Sequence, residues 1–347
     1  MSISVQATPQ IDPTPIFEHF RGSYATELLT AAVTGFDVFN RLARTPNTED
    51  EFRRELGLQE RPAVVLFTAL KAMGLLAMDA QGRLDLTPLS REHLVHGTAF
   101  DVSGYIGLAA ESPGVTEMIL RLKSNRPAGA EEEKGAAFIF RQGIESAMDH
   151  EASARHLTLA LAGRAKNVAP HLARVIDLSR ASTLLDVGGG TGIYSIACLQ
   201  KNPILRAIVW DRPEVLKVAR EMADAYGVAD RLECRPGDMF ADPVPAADVM
   251  LLSNILHDWD VPQCRQLVRR CAEKLPNRGR LLIHDVFLND ALDGPLPLAL
   301  YSAALFTLTE GRAYSAAEYR TWLQDSALTV GDVTPTLIHC GVLSGIA

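Results

Sequence analysis

The stretch Leu184-Leu185-Asp186-Val187-Gly188-Gly189-Gly190-Thr191-Gly192 decides how this chain reads. An apolar run suited to a buried parallel strand ends in an acid, and four glycines follow within five residues. Glycine lets a backbone turn tightly and come close to a ligand, but so many together lose conformational entropy that an ordinary strand-to-helix turn would not return. A cofactor turn is therefore expected here, with a helix following from about Ile193 to Gln200.

The glycine spacing narrows the cofactor. A dinucleotide turn needs GxGxxG aimed at a pyrophosphate, whereas Gly188, Gly190 and Gly192 give GxGxG. An acid before the turn repels a pyrophosphate but can accept hydrogen bonds from a cationic amino-acid group. S-adenosylmethionine carries such a group and is the expected cofactor, held by Asp186, Gly188 and Gly190.

Three further strand ends continue the series. Ala207-Ile208-Val209-Trp210-Asp211 delivers Asp211 about twenty residues after the turn, where an acid typically grips ribose hydroxyls. Arg212 and Pro213 then open a helix expected over Glu214 to Tyr226. Residues 231–240 form a third strand running into the polar turn Gly237-Asp238-Met239-Phe240, where Asp238 can accept from an adenine amino group and Met239 or Phe240 can cover its face. Ala247 to Asn254 is a fourth strand, bringing Ser253 and Asn254 to the same carboxyl edge. Ligands of doubly wound sheets collect along that edge.

Beyond the fourth strand comes Ile255-Leu256-His257-Asp258-Trp259. An imidazole with an ordinary pKa of about 6.5 takes a proton near neutral pH, so His257 is the candidate general base. Most histidines are structural, and only its place after the fourth strand of such a site favours catalysis.

These residues carry a resemblance. The chain resembles the SAM-dependent O-methyltransferases that include plant caffeate and flavonoid methyltransferases, animal acetylserotonin methyltransferase and bacterial natural-product enzymes. Asp186 to Gly192 is similar to that family's glycine motif, and Trp210-Asp211-Arg212-Pro213 to its ribose motif. Gly237 to Phe240 matches the adenine motif and His257-Asp258-Trp259 the base motif. The resemblance spans almost the whole chain and implies a class I, Rossmann-like α/β sheet with a winged-helix-like dimerisation unit. It also implies two acids flanking the base. The first position corresponds to Asp285, at the end of the fifth strand, and the second to Ala313, which is no acid. Asp285 alone is left to orient His257. A phenol with a pKa near 10 is mostly protonated at neutral pH, so deprotonation and in-line placement are the expected contributions of the protein.

The first third of the chain reads as helical. Helices are expected over Tyr24 to Leu42, over Thr48 to Leu56 behind a cap-like Thr48-Glu49-Asp50-Glu51, and over Arg61 to Met73, followed by a hairpin over Leu75 to Leu86. The expected organisation is a winged-helix-like dimerisation unit over 1–110, a helical linker and substrate-lining region over 111–175, and a SAM-binding catalytic domain over 176–347. A DNA-binding regulator would share the winged helix, but its reading helix should be basic. Arg61 to Lys71 is largely apolar and better suited to a partner subunit, and the resemblance implies a homodimer formed through this region. Met1 to Pro15 reads as a loose arm and Pro127 to Gly135 as a solvated loop.

Composition agrees with a two-part enzyme. The chain has 347 residues, 47% of them hydrophobic, and a net charge of −8, which argues against a general nucleic-acid binder. No run reaches the roughly eighteen apolar residues of a membrane helix. Five cysteines without metal spacing suit a reduced, cytoplasmic protein. His257, Asp258, His284 and Asp285 could together hold a metal, but a hydrogen-bonding role for His284 is favoured and no metal is expected. Acceptor-lining candidates are Met148, Tyr301 and Leu305, chosen from a set that includes Phe138, Phe140, Phe287 and Phe306. A diverged enzyme with hydroxylase- or decarboxylase-like chemistry remains the rival on the same fold.

Overall fold

The computed structural model describes residues 4–126 and 151–347. Met148, Phe138, Phe140 and the loop expected over Pro127 to Gly135 lie outside the described residues. The helix expected between the two halves is present as Glu151–Val175.

Strands β1 (Leu76–Met78) and β2 (Leu84–Leu86) form the small antiparallel hairpin. The main sheet is built from β3 (Thr183–Val187), β4 (Arg206–Asp211), β5 (Leu232–Pro236), β6 (Val249–Ser253) and β7 (Arg280–Leu288). It is completed by β8 (Tyr314–Ser315), β9 (Thr329–Val330), β10 (Thr334–Pro335) and β11 (Cys340–Ile346). The strand order is β10-β11-β7-β6-β3-β4-β5, with β8 on β7 and β9 on β11. Strands β3 to β7 pair in parallel. Because β3 has β4 on one side and β6 on the other, the chain order reverses at its end, which opens a crevice over the glycine turn. The far end of the sheet is antiparallel: β11 lies between β7 and the short strands β9 and β10, which cover its outer side.

The apolar strand residues are enclosed on both faces, as a parallel sheet requires. On one side, Leu184, Val209 and Leu251 pack under the helices Ile193–Lys201 and Glu151–Val175. On the other, Leu185, Met250, Ile283 and Leu343 pack against Trp259, Tyr319 and Trp322. Burying one such leucine or isoleucine contributes about 1.5–3 kcal/mol.

Two expectations for the first third are corrected. The single helix expected over Tyr24 to Leu42 is broken into Ala25–Thr30, a π-turn over Ala31–Gly35, and Val38–Arg44. Gly35 lies so close to Ile119 that a Cβ would sit 2.8 Å from its Cδ1, and Asp37 then turns the chain with φ of 52°. The supposed loose arm is anchored at Val5 and Gln6. Val5 is buried in the sheet's core, its N–H donates to Gln200 Oε1 at 2.9 Å, and Gln6 Nε2 donates to the Ala197 carbonyl at 2.6 Å. It continues into the helix Thr14–Arg21.

The capping box is present as expected, Thr48 and Glu51 satisfying each other's backbone N–H at the start of Glu49–Glu55. The helix Glu60–Ala72 differs from expectation in what covers it. Leu300, Ala303 and Phe306 of the helix Leu296–Leu308 enter the same core, and the Arg61 guanidinium stacks over Phe306 at 4.7 Å. Arg61 also donates to the Thr309 and Gly311 carbonyls. The apolar surface assigned to a partner is therefore covered within the chain, and no free helix face is left there to enter a DNA groove.

Candidate active site

At the carboxyl end of β3, Gly188, Gly190 and Gly192 have φ of 64°, 60° and 70°, a backbone that residues with a Cβ rarely adopt. Asp186 is buried beneath this turn. Its Oδ2 accepts from Ser195 Oγ at 2.8 Å, while its Oδ1 is buried without a hydrogen-bond partner. Burial pushes the Asp186 carboxyl up to about 7, with Asp211 adding to it. An acceptor oxygen held dry and unpaired beside a glycine cradle fits a ligand bearing N–H donors and positive charge.

Asp211 ends β4 and faces the same turn. Its Oδ2 accepts from the Gly190 N–H at 2.9 Å and its Oδ1 from the Arg212 N–H at 2.7 Å, so it braces the glycine turn rather than capping the next helix. Asp238 is exposed and its Oδ1 accepts from the Phe240 N–H, while Met239 is half-buried and Phe240 stands edge-on to Trp259 at 4.8 Å. Gly237 packs tightly against Trp210, where a Cβ would lie 3.1 Å from the indole Cε2. At the end of β6, Asn254 has φ of 57°, donates to Tyr194 Oη at 3.3 Å and to Ser253 Oγ at 3.0 Å, and accepts from Arg164 at 2.7 Å.

His257 lies on a short 3-10 turn, Leu256–Asp258, directly beyond this edge. Its Nδ1 is 2.6 Å from Asp285 Oδ1. Asp285 is held in turn by the Val286 N–H on Oδ1 and the Tyr319 hydroxyl on Oδ2. A carboxylate only accepts, so Nδ1 carries the proton and Nε2 is left as the basic nitrogen. Asp258 Oδ1 stands 3.7 Å from that Nε2. Burial alone would depress the imidazole, but Asp285 and Asp258 outweigh it and hold His257 above its ordinary value. Asp258 is pushed up to about 6 by burial, against the pull of His257.

The second acid position is Ala313, fully buried, with its N–H on Ser302 Oγ. His284 makes no ligand for a metal. Its Nδ1 pairs with Ser253 Oγ at 2.8 Å and its Nε2 with Thr336 Oγ1 at 3.1 Å, and burial pushes it down to about 3. Among the described residues no cluster of histidine, cysteine and carboxylate could hold a metal ion.

Of the acceptor candidates, Tyr301 is brought to the base, its ring edge-on to His257 at 6.0 Å between centroids. Leu305, one turn on, is buried in the core of the sheet. Phe306 is used up by Arg61. Sequence reasoning missed Tyr194, Arg164, Arg21 and Cys340. Arg164 was the most detectable, a long cation between the small residues Gly163 and Ala165.

A glycine turn with a buried acid, a second acid at the next strand end and a base past the fourth strand define a class I methyltransferase sheet. The chain belongs to the O-methyltransferase domain family, whose model matches residues 133–327. The chain is 34% identical over 318 residues to the 3-hydroxy-5-methyl-1-naphthoate 3-O-methyltransferase of Streptomyces sahachiroi, spanning 90% of this chain and 89% of that one. It is similar in structure to an O-methyltransferase family 2 protein from Planctomyces limnophilus, solved in complex with apigenin, with a TM-score of 0.90, 48% identity and full coverage of both chains. The human N-acetylserotonin methyltransferase, solved with SAM, shares the fold at a TM-score of 0.59 and 20% identity, over 98% of this chain and 99% of that one.

Proposed function

We propose that this enzyme transfers a methyl group from S-adenosylmethionine to a hydroxyl of a small aromatic acceptor, with His257 as general base. S-adenosylmethionine is the methyl donor, and when bound it supplies an activated methyl on a sulfonium whose departure needs no acid. The naphthoate named for one relative and the apigenin bound to another are small aromatic molecules of the expected kind. The single observation that carries the reading is the buried His257–Asp285 pair, with its basic nitrogen turned away from Asp285.

The residues divide the work. Asp186, Gly188 and Gly190 hold the amino-acid end of the donor, and Asp211 with Arg212 its ribose. Gly237, Asp238, Met239 and Phe240 take the adenine, while Ser253 and Asn254 close the edge. His257 Nε2 accepts the acceptor's hydroxyl proton, and Asp285 keeps the imidazole in the right tautomer and stabilises it once charged. Tyr301 supplies a flat wall beside the base, suited to an aromatic acceptor. Leu305 supports that wall from the core, and Met148 remains a candidate on sequence grounds. Exposed apolar side chains in the first third suit a homodimer, and five free cysteines suit the reducing cytoplasm. No described helix is long and apolar enough to cross a membrane.

Titration calorimetry with S-adenosylmethionine and S-adenosylhomocysteine, followed by a mass-spectrometric screen of phenolic acceptors, tests the reading. Binding of both and the mass gain of one methyl group are expected. Binding without methylation of any hydroxyl would instead favour diverged chemistry on the same sheet.

A further inference from the structure

Two guanidinium groups lie at the site, one on the acceptor side of the candidate base and one at the cofactor edge, and neither has a carboxylate partner among the described residues. Arg21, from the helix Thr14–Arg21, is 4% exposed, and its Nη1 is buried with no hydrogen bond. Its Cζ lies 3.9 Å from the centroid of the Tyr301 ring and 5.7 Å from that of Phe17. Arg164 donates only to neutral groups, Asn254 Oδ1 at 2.7 Å and Cys340 Sγ at 2.8 Å, and its Nε is buried and unpaired. Burial pushes the Cys340 thiol up, so it stays neutral, and the same holds for Tyr194, pushed up to about 12.

The two cations stand on different sides of the site. Arg164 is tied to Asn254 at the cofactor edge, whereas Arg21 lies against Tyr301, whose ring is in edge contact with His257. A cation over an aromatic face is only weakly attracted. Burying an unpaired ion costs more than that attraction returns, so Tyr301 alone does not satisfy Arg21. The nearby carboxylate of Asp285 is already committed to His257, Val286 and Tyr319. A sulfonium donor adds more positive charge to the same space.

We propose that Arg21 is a specificity residue that binds a carboxylate carried by the aromatic acceptor, distinct from the hydroxyl that receives the methyl group. The acceptor lies along Tyr301 with its hydroxyl toward His257 Nε2 and its carboxylate on the free edge of the Arg21 guanidinium. This rests on the methyltransferase reading above and adds to it the class of acceptor. A planar guanidinium is well matched to a carboxylate.

The test is calorimetric binding of a hydroxynaphthoate and of its methyl ester to the full-length protein saturated with S-adenosylhomocysteine. The free acid is expected to bind roughly 10- to 100-fold more tightly than the ester, as a charge-assisted hydrogen bond provides. Arg21→Gln is expected to collapse that preference and Arg21→Lys to retain part of it. Equal binding of acid and ester by the native protein, which needs no variant, overturns the assignment, and so does an undiminished preference in Arg21→Gln. The binding preference decides the anion site whether or not methyl transfer follows. Absence of any methylated product would count only against the reaction.

Discussion

The Nδ1–H of His257 donates to Asp285 Oδ1 across 2.6 Å, and both side chains are buried. This one contact fixes the ring's orientation and its tautomer. His257→Gln is expected to lower kcat by roughly 10² to 10⁴. Asp285→Asn is expected to lower it by at least about tenfold, because an amide can present its N–H to Nδ1 and so favour the wrong tautomer. Both variants should still bind S-adenosylhomocysteine. Full turnover in either at neutral pH would remove His257 from the chemistry.

Asp258 is expected to set the pH at which the proposed base works. Its carboxylate, 3.7 Å from Nε2, is one of the two that hold His257 above its ordinary value. The base must be unprotonated, so kcat/KM should fall as the pH drops through a value above 6.5. Asp258→Asn removes a negative charge, favours the neutral imidazole and should move that acidic limb to lower pH. A limb that stays in place or moves upward in the variant would contradict the assignment.

Much of this site was legible because each motif couples a backbone demand to a chemical one. Asp186 to Gly192 could be recognised since the glycines are needed for positive φ, and Asp211, Ser253 and Asn254 followed from the ends of apolar runs. The hydrogen-bonding role favoured for His284 is met by Ser253 and Thr336. The failures are long-range. Nothing local in Arg61 to Lys71 says that Leu296–Leu308, more than two hundred residues later, covers it. Arg21 was not singled out because its burial depends on Tyr301, which the sequence does not place beside it. The broken helix at Gly35 follows from contact with Ile119, equally invisible to periodicity.

Gly311 stands where the turn bearing Ala313 presses on the base. A Cβ there would lie 2.6 Å from the Trp259 nitrogen and closer still to the His257 carbonyl oxygen, and neither is a flexible side chain that could yield. Gly311→Ala should therefore cost about 1–3 kcal/mol of stability and displace His257, lowering Tm and kcat together. Gly163→Ala is the control. It sits in the helix Glu151–Val175 with open space around its Cβ position, and should raise stability by about 0.4–1 kcal/mol. Thermal denaturation of the two variants, with turnover measured beside it, checks the contrast. A Gly311→Ala protein as stable and as active as the native one would show that the turn has slack.

Phe100, Tyr105 and Leu108 are 61%, 78% and 80% exposed on one short segment, and Phe20 is 80% exposed on the N-terminal helix. Large apolar side chains this open mark an interaction surface more often than chance. A homodimer is expected by light scattering at micromolar concentration, and Tyr105→Asp combined with Leu108→Asp should yield a folded monomer. A native protein that already runs as a monomer would rule the dimer out.

Asp186 links stability to cofactor binding. Its carboxyl is raised from 3.8 to about 7 by burial, so between those values the folded protein holds a proton that the unfolded chain releases. Unfolding is then favoured as pH rises through that window, and the full penalty is present above about 7. Asp186→Asn has no such titration. The Tm difference between variant and native protein, both without ligand, should therefore shift in the variant's favour by roughly a few degrees from mildly acidic to mildly basic pH. The same change removes the acceptor proposed for the cationic end of the donor, so affinity for S-adenosylhomocysteine should fall at least about tenfold by calorimetry. A variant that gains stability at basic pH and loses the ligand would locate the cost of the unpaired Oδ1 and its use in one atom. A variant that keeps its affinity would leave the glycine turn without its acid and move the donor's amino group elsewhere along the sheet edge.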